Sequence, residues 1–297
     1  MSYHNPVLLF ESVDGLEIDP SGIYVDVTFG GGGHSKEILN RLNEHGRLFA
    51  FDQDEDALQN AIEDKRFTLI NENFRYIKRF LRLHGVIKVD GILADLGVSS
   101  HQFDNAERGF STRFDALLDM RMNQQDDLSA YEVINNYDEK MLSNILFSYG
   151  ELRNAKAIAR AIVEARKDAE IKSSFQLKEV LQKFLPKSKE HKILAQIFQA
   201  IRIEVNQELE ALKEFLEQTV ELLKPGGKLS VISYHSLEDR LVKRFIRSGL
   251  FEGEPEKDFF GNIDVPFKKG KLITPTAKET KENNRARSAK LRTATKL

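Results

Sequence analysis

The sequence predicts an α/β fold, a parallel doubly wound sheet interrupted by an all-helical insertion. Three observations carry this. Short β-branched or aromatic runs alternate with helical patterns from Gly22 to Gly91, the alternation stops after Asp95, and strand patterning resumes only near Leu229. Parallel strands need crossover connections, so successive strand–helix steps set the strands side by side with helices on both faces.

The elements follow in order. Residues 23–27, rich in β-branched and aromatic side chains, read as the first strand, then a helix over 35–43 and a strand over 48–51. The cycle repeats with a helix over 55–64, a strand over 67–70, a helix over 74–83 and a strand over 91–94. From Leu96 to Asp127 no period is visible, and a loop of that length is functional or disordered. Ser129-Ala130-Tyr131-Glu132 then fits a capping box, with Leu128 and Val133 as its hydrophobic staple. Helices are expected over 151–167, 174–185 and 190–223. Lys224-Pro225-Gly226-Gly227 stops the last, because proline lacks a donor and glycine accepts positive φ. A strand over 229–233, a helix over 237–247 capped by Ser236, and two strands near Val265 or Ile273 and near 289–293 complete the reading. The expected domains are a discontinuous core, 1–112 with 200–297, and an inserted helical domain, 113–199.

Composition narrows the function. With 297 residues, 41% hydrophobic and 30% charged, the chain can bury a globular core of at most two domains. No cysteine is present, which excludes disulfides, cysteine-ligated zinc, iron–sulfur clusters and thiol catalysis; no metal is expected. The first fifteen residues lack a basic leader, and the apolar run 7–10 is far too short to span a bilayer, so a cytoplasmic protein with no membrane partner is expected. Formal net charge is -2, from 44 Lys+Arg and 46 Asp+Glu. That sum conceals an asymmetry: residues 240–297 hold 15 Lys+Arg and 7 Asp+Glu, a local +8, leaving -10 for the remainder. A basic segment of this kind suits phosphate. Arg285, Arg287, Lys290 and Arg292 are its expected core; Arg75, Lys78, Arg79 and Arg82 form a second stripe at helical spacing, more simply a solvated face.

The first strand ends in Asp26-Val27-Thr28-Phe29-Gly30-Gly31-Gly32-Gly33-His34-Ser35, directly before a helix. Glycines let backbone approach a ligand and free the helix N-terminus to meet it. Asp52, ending the second strand 22 positions after Gly30, stands where a carboxylate accepts hydrogen bonds from ribose hydroxyls. A nucleoside site is predicted. Asp26, four residues before the glycines, suits a cationic ligand such as S-adenosylmethionine better than an anionic pyrophosphate. Asp95 ends the fourth strand, on the carboxyl edge where such sheets bind ligands. Phe74 at the end of the third strand lies beside an adenine or packs the next helix; His34 contacts the ligand through its backbone or is an ordinary first-turn residue.

At these residues the chain resembles the bacterial 16S ribosomal RNA cytosine-N4 methyltransferases, the RsmH or MraW family. The matching blocks are His4-Asn5-Pro6-Val7-Leu8-Leu9, the glycine loop, Asp95-Leu96-Gly97-Val98-Ser99-Ser100 with Gln102, Arg108-Gly109-Phe110-Ser111, Leu118-Asp119-Met120-Arg121-Met122, Phe198-Gln199-Ala200-Ile201-Arg202-Ile203, His235-Ser236-Leu237-Glu238-Asp239-Arg240, and Arg285-Ala286-Arg287-Ser288-Ala289-Lys290-Leu291-Arg292. The resemblance implies a class I, Rossmann-like methyltransferase core with a helical insertion, S-adenosyl-L-methionine as donor, and a cytidine of the small-subunit decoding region as acceptor, on free 16S rRNA or the subunit; a homodimer is compatible. Carried over by position, the cofactor contacts are Gly32, Gly33, His34, Asp52, Phe74, Asp95 and Gln102. The segment 192–197 departs from the family's usual Pro-Ala-Thr type stretch, which touches only the substrate side.

The exocyclic amine of cytosine is a poor nucleophile, since its lone pair is delocalised into the ring. Transfer to it needs an acceptor for the amine proton and in-line orientation of the reacting atoms, the latter worth ~7 to 11 kcal/mol. A base in a stack is out of reach, so the nucleotide is extruded or already unpaired. Asp95 is the expected bridge between cofactor and amine, with Ser99, Ser100 or His235 assisting. For His235 the simpler alternative is a helix flank that packs. Arg108, Arg113 and Arg121 make ion pairs or order over RNA; Phe103 and Phe110 stack on a base or anchor the loop. An NAD-dependent dehydrogenase shares the loop and Asp52 but needs neither Asp26 nor a basic C-terminal segment. A non-catalytic small-subunit assembly factor with a vestigial nucleoside pocket is the binding-module alternative.

Overall fold

The computed structural model describes residues 6–261 and 263–297; His4 and Asn5 lie outside them. Seven strands form one sheet: β1 (Ile23–Asp26), β2 (Arg47–Phe51), β3 (Phe67–Ile70), β4 (Val89–Asp95), β5 (Leu223–Ser233), β6 (Phe267–Ile273) and β7 (Lys290–Lys296). Their order is β3-β2-β1-β4-β5-β7-β6. The first five in this order are parallel, and β7 runs antiparallel to both β5 and β6. The expected parallel sheet is therefore present and ends in an antiparallel edge.

Side-chain alternation shows why the sheet is doubly wound. Val25, Phe49 and Ile92 face one layer, packing with Ile77, Leu81, Leu212, Phe215 and Phe245 of the helices there. Their neighbours Tyr24, Leu48 and Leu93 face the other, against Val13, Leu16, Ile38 and Leu39. Both faces are buried, so these strands read as unbroken apolar runs. Because β1 pairs with β2 on one side and β4 on the other, the strand order reverses there, and the crevice beyond the carboxyl ends of β1 and β4 is the ligand position of such sheets.

The chain divides into two compact units, Met1–Gly97 with Leu209–Leu297, and Val98–Glu208. The second unit is wider than the 113–199 read from sequence. Phe110 before that range and Ala200, Ile201 and Val205 after it are buried in the same core as Val133, Ile158 and Leu177. The segment 96–127, aperiodic in sequence, is ordered: Asn206 accepts from the Met122 N–H (2.6 Å) and donates to the Met120 carbonyl (2.8 Å). Phe110 is a buried anchor, and Phe103 packs partly buried against the same core. Arg108 is buried and donates to the Arg121 and Met122 carbonyls, while Arg121 pairs with Asp119 at 2.7 Å. Of the alternatives for this loop, anchoring holds for Phe110 and internal pairing for both arginines.

Several local expectations change. A 3-10 turn, Glu55–Asn60, replaces the helix expected at 55–64, with Asp54 accepting from the Asp56 N–H and the backbone turning extended at Ala61. Helix Glu139–Ser148, with Asp138 as its cap, has no counterpart in the sequence reading. The helix expected over 190–223 is two, Glu190–Asn206 and Glu208–Leu222, broken where Gln207 takes φ 49° and stapled by the Arg202–Glu208 pair at 2.7 Å. His235, not Ser236, caps helix Ser236–Ser248, because Glu238 reaches back to complete a capping box. Ser129 caps Ala130–Asn136 as expected. Among the described residues no helix is long and apolar enough to cross a membrane.

Candidate active site

The site begins where β1 ends. Asp26 is fully buried, and its carboxylate accepts from the Ser35 hydroxyl (2.7 Å) and the Thr28 N–H (3.1 Å), tying strand end to helix start. Between them Gly32 takes φ 75°, where a side chain is strained, and as the N-cap of helix Gly33–Arg41 it brings no capping side chain of its own. Among the described residues no side chain accepts from the first-turn N–H groups, the condition for meeting a ligand. Pro6 packs where Gly33 would carry a Cβ.

Asp52 at the end of β2 locks this loop from the adjacent strand. One oxygen accepts from the Gly30 N–H at 2.7 Å and the other from the Asp54 N–H at 2.9 Å. A carboxylate has about four acceptor sites, so two remain for hydroxyl donors. At the end of β4, the Asp95 N–H donates to Thr28 Oγ1 (2.6 Å), and its carboxylate accepts from the Tyr234 hydroxyl (2.7 Å) and lies 3.8 Å from His34 Nδ1. His34 Nε2 meets the Val7 carbonyl at 3.3 Å. The structure thus brings Asp26, Gly32, Gly33, His34, Asp52 and Asp95 to one carboxyl edge.

Electrostatics follow from the burial. Removal from water pushes the carboxyls of Asp26, Asp52 and Asp95 up to about 6 each, partly opposed at Asp26 by Ser35 and Thr28 and at Asp95 by the Tyr234 hydroxyl. Burial lowers His34, outweighing the pull of Asp95, so the imidazole stays neutral at pH 7. Burial and the Asp95 charge hold the Tyr234 phenol well above its usual value, so it remains a donor. Among the described residues none of these three carboxylates pairs with a Lys or Arg, which leaves the site short of positive charge. That donor set fits a cationic nucleoside such as S-adenosylmethionine, with Asp52 placed for ribose hydroxyls and the Gly30–Gly33 backbone for close approach.

The other expected site residues have partners of their own. Phe74 stands just past the end of β3, half-buried, and packs edge-on against Phe215 of helix Glu208–Leu222, ring centroids 5.4 Å apart. Ser99, Ser100 and Gln102 belong to the second unit, where Ser99 caps helix Ser100–Asp104. The Gln102 N–H donates to Ser99 Oγ (3.1 Å), and Gln102 Oε1 accepts from the Ser99 N–H (3.0 Å). His235 Nδ1 accepts from the Glu238 N–H at 3.5 Å as the cap of its helix. Tyr234 was not anticipated. Its position one residue past β5, beside His235, put it on the carboxyl edge, and that edge argument was the signal available.

Proteins with known names are similar to this chain over nearly its full length. A protein of Flavobacterium johnsoniae named ribosomal RNA small subunit methyltransferase H is 71% identical over 298 residues, 100% of this chain and 99% of its own. A protein of the same name from Bacteroides thetaiotaomicron is 55% identical, over 100% and 98% of the two chains. Among solved structures, an rRNA methylase from Streptococcus thermophilus aligns with 100% of this chain and 99% of its own at TM-score 0.45 and 13% identity, a likeness too distant to bear on activity. The profile of the MraW methylase family matches residues 1–297, and the chain belongs to that family.

Proposed function

We propose that the protein transfers a methyl group from S-adenosyl-L-methionine to the exocyclic N4 amine of a cytidine in the decoding region of 16S ribosomal RNA. The observation that carries this is Asp95: a carboxylate at the end of β4, raised to about 6 by burial, held by Tyr234 and facing a neutral His34. When bound, the cofactor supplies an electrophilic methyl on a positively charged sulfur. Asp26, Asp52 and the loop Gly30–Gly33 hold it, with Asp52 accepting from the ribose.

Asp95 then does two things. Its Oδ1 is fixed by the Tyr234 hydroxyl, so the carboxylate accepts a hydrogen bond from the amine in one orientation and sets the nitrogen for attack. At pH above about 6 it is ionised, and it would take the amine proton as the nitrogen–methyl bond forms and the methyl–sulfur bond breaks, the donor leaving as a neutral thioether. Its raised pKa makes it a stronger base than an exposed aspartate. His34, neutral and anchored to the Val7 carbonyl, limits rotation of the same carboxylate without supplying charge. Ser99 and His235 act through the helix starts they cap, positioning the residues behind them. The basic segment supports an RNA acceptor.

Replacing Asp95 by Ala is expected to lower methyl incorporation into small-subunit RNA by about 100-fold or more while the fold is kept, the typical worth of a positioned base. Radiolabelled cofactor and mass mapping of the RNA read the result. Activity within a few-fold of wild type sinks the assignment of Asp95, and absence of any methylated cytidine with the wild-type protein sinks the reaction, leaving an assembly role.

A further inference from the structure

We infer that the outer edge of the sheet, strand β6 with the adjoining face of helix Ser236–Ser248, is a second RNA contact that binds backbone phosphates away from the target nucleotide. The inference rests on the RNA methyltransferase reading above. Sequence pointed to Arg285, Arg287, Lys290 and Arg292, but the structure uses two of these internally. Lys290 Nζ lies 3.0 Å and Arg292 Nε 2.7 Å from the Asp239 carboxylate, which clamps β7 to the helix. Arg287 stays exposed, but a larger group of cations outside any ion pair stands elsewhere.

It lies on β6 and the neighbouring helix. Lys268, Lys269 and Lys271 are all exposed within four residues, although strict alternation would turn one of three such neighbours inward. Both faces of this edge strand are open beyond Phe267: Lys268 and Lys269 alternate and are both exposed, as is Leu272, and a bulge follows where the register against β7 slips between Lys269 and Leu272 and places an extra residue on β6. Gly270 makes it feasible, since a Cβ there would run into the Thr293 side chain and come within 2.8 Å of the Thr293 carbonyl. The helix packs on this strand through Phe245, whose ring centroid is 6.2 Å from that of Phe267. Lys243 and Arg247, four residues apart, share an exposed face of the helix. Among the described residues none of these five cations lies within 4.0 Å of a carboxylate.

The occupant is set by charge and by place. Five unpaired cations on one edge repel a second copy of the same surface and match a phosphate backbone. The acids nearby in sequence, Glu252, Glu254, Glu256, Asp258 and Asp264, are in the segment joining helix to strand, so the cationic track is the strand and the helix face. β6 stands three strands beyond β4, about 14 Å at ~4.8 Å per step. A target cytidine at Asp95 leaves this edge to nucleotides two or more removed from it. Lysines on an edge strand also deter edge-to-edge pairing of sheets, and the test must separate that role.

The test compares wild type with Lys268→Ser/Lys269→Ser/Lys271→Ser and, independently, Lys243→Gln/Arg247→Gln. For both, RNA affinity across 50–300 mM salt, KM for small-subunit RNA, kcat, cofactor affinity and thermal melting are measured. The lysine variant is expected to lower the slope of log affinity against log salt by about 2 to 3, near 0.7 to 0.9 per lost phosphate contact. KM should rise about tenfold with kcat and cofactor affinity within twofold. The helix variant should lower the slope by about 1 to 2. Unchanged slope and KM in both, or aggregation of the lysine variant with unchanged RNA binding by the helix variant, overturns the proposal. Wild-type protein that methylates no small-subunit RNA overturns the underlying function instead.

Discussion

At the scale of single residues, the chemistry depends on how one carboxylate is oriented. Asp95 has two oxygens and three neighbours: the Tyr234 hydroxyl on Oδ1, His34 Nδ1 3.8 Å from Oδ2, and its own N–H anchored on Thr28. Burial raises its pKa to about 6, and the Tyr234 hydrogen bond opposes that rise. Removing the bond therefore moves the pKa further up. Tyr234→Phe is expected to shift the acid limb of the kcat/KM profile upward by about 0.5 to 1 unit, with near-wild-type rates above pH 8.5 where the carboxylate is ionised in both. A profile that drops uniformly with no displaced limb would show that the hydroxyl acts on folding or cofactor binding rather than on Asp95. The carboxyl-edge position of Asp95 was legible from the strand pattern. Tyr234 was not, because an aromatic one residue past a strand gives no sign of which side chain it will meet.

At the scale of elements, one buried carboxylate joins helix Ser236–Ser248 to β7. Burial alone would raise the pKa of Asp239, but hydrogen bonds from Arg292 and Lys290 outweigh it and the net shift is downward. A folded-state pKa below the unfolded value gives stability that is present above the ordinary aspartate range and lost as pH falls through the folded pKa. Asp239→Ala is expected to cost about 2 to 4 kcal/mol at pH 7, since it also leaves two cations unpaired near a buried strand. Chemical denaturation at pH 7 and pH 3.5 checks this: the difference from wild type should shrink at the lower pH, and a cost below 0.5 kcal/mol at pH 7 would contradict the clamp. The same clamp takes up two of the four basic residues that a charge count assigns to phosphate. Sequence registers the sign of Lys290 and Arg292 but not their partner, 51 and 53 residues away. Capping was more legible where it is local: Ser129 with Glu132 was readable, whereas the His235 cap was missed because a histidine seldom takes that place.

At the scale of the whole molecule, the chain folds as two compact units with separate cores. The second, Val98–Glu208, buries its own cluster running from Phe110 to Val205 and fixes its irregular entry segment through Asn206 and Arg108. A segment of this size with a contiguous apolar core has the makings of an independent domain. Residues 98–208 expressed alone are expected to give a helical circular dichroism spectrum and a cooperative thermal transition; a non-cooperative melt with dye-binding apolar surface would refute it. The sequence by itself determined the alternation of strands and helices, the glycine loop with Asp26, Asp52 and Asp95 at strand ends, and the family, because these depend on periodicity and on short blocks each legible on its own. Tertiary structure alone decided the unit boundary, the packing of Phe74 on Phe215, and which basic residues stay unpaired. Each of those depends on which distant side chain arrives at a given surface, and that information resides in packing rather than in local pattern.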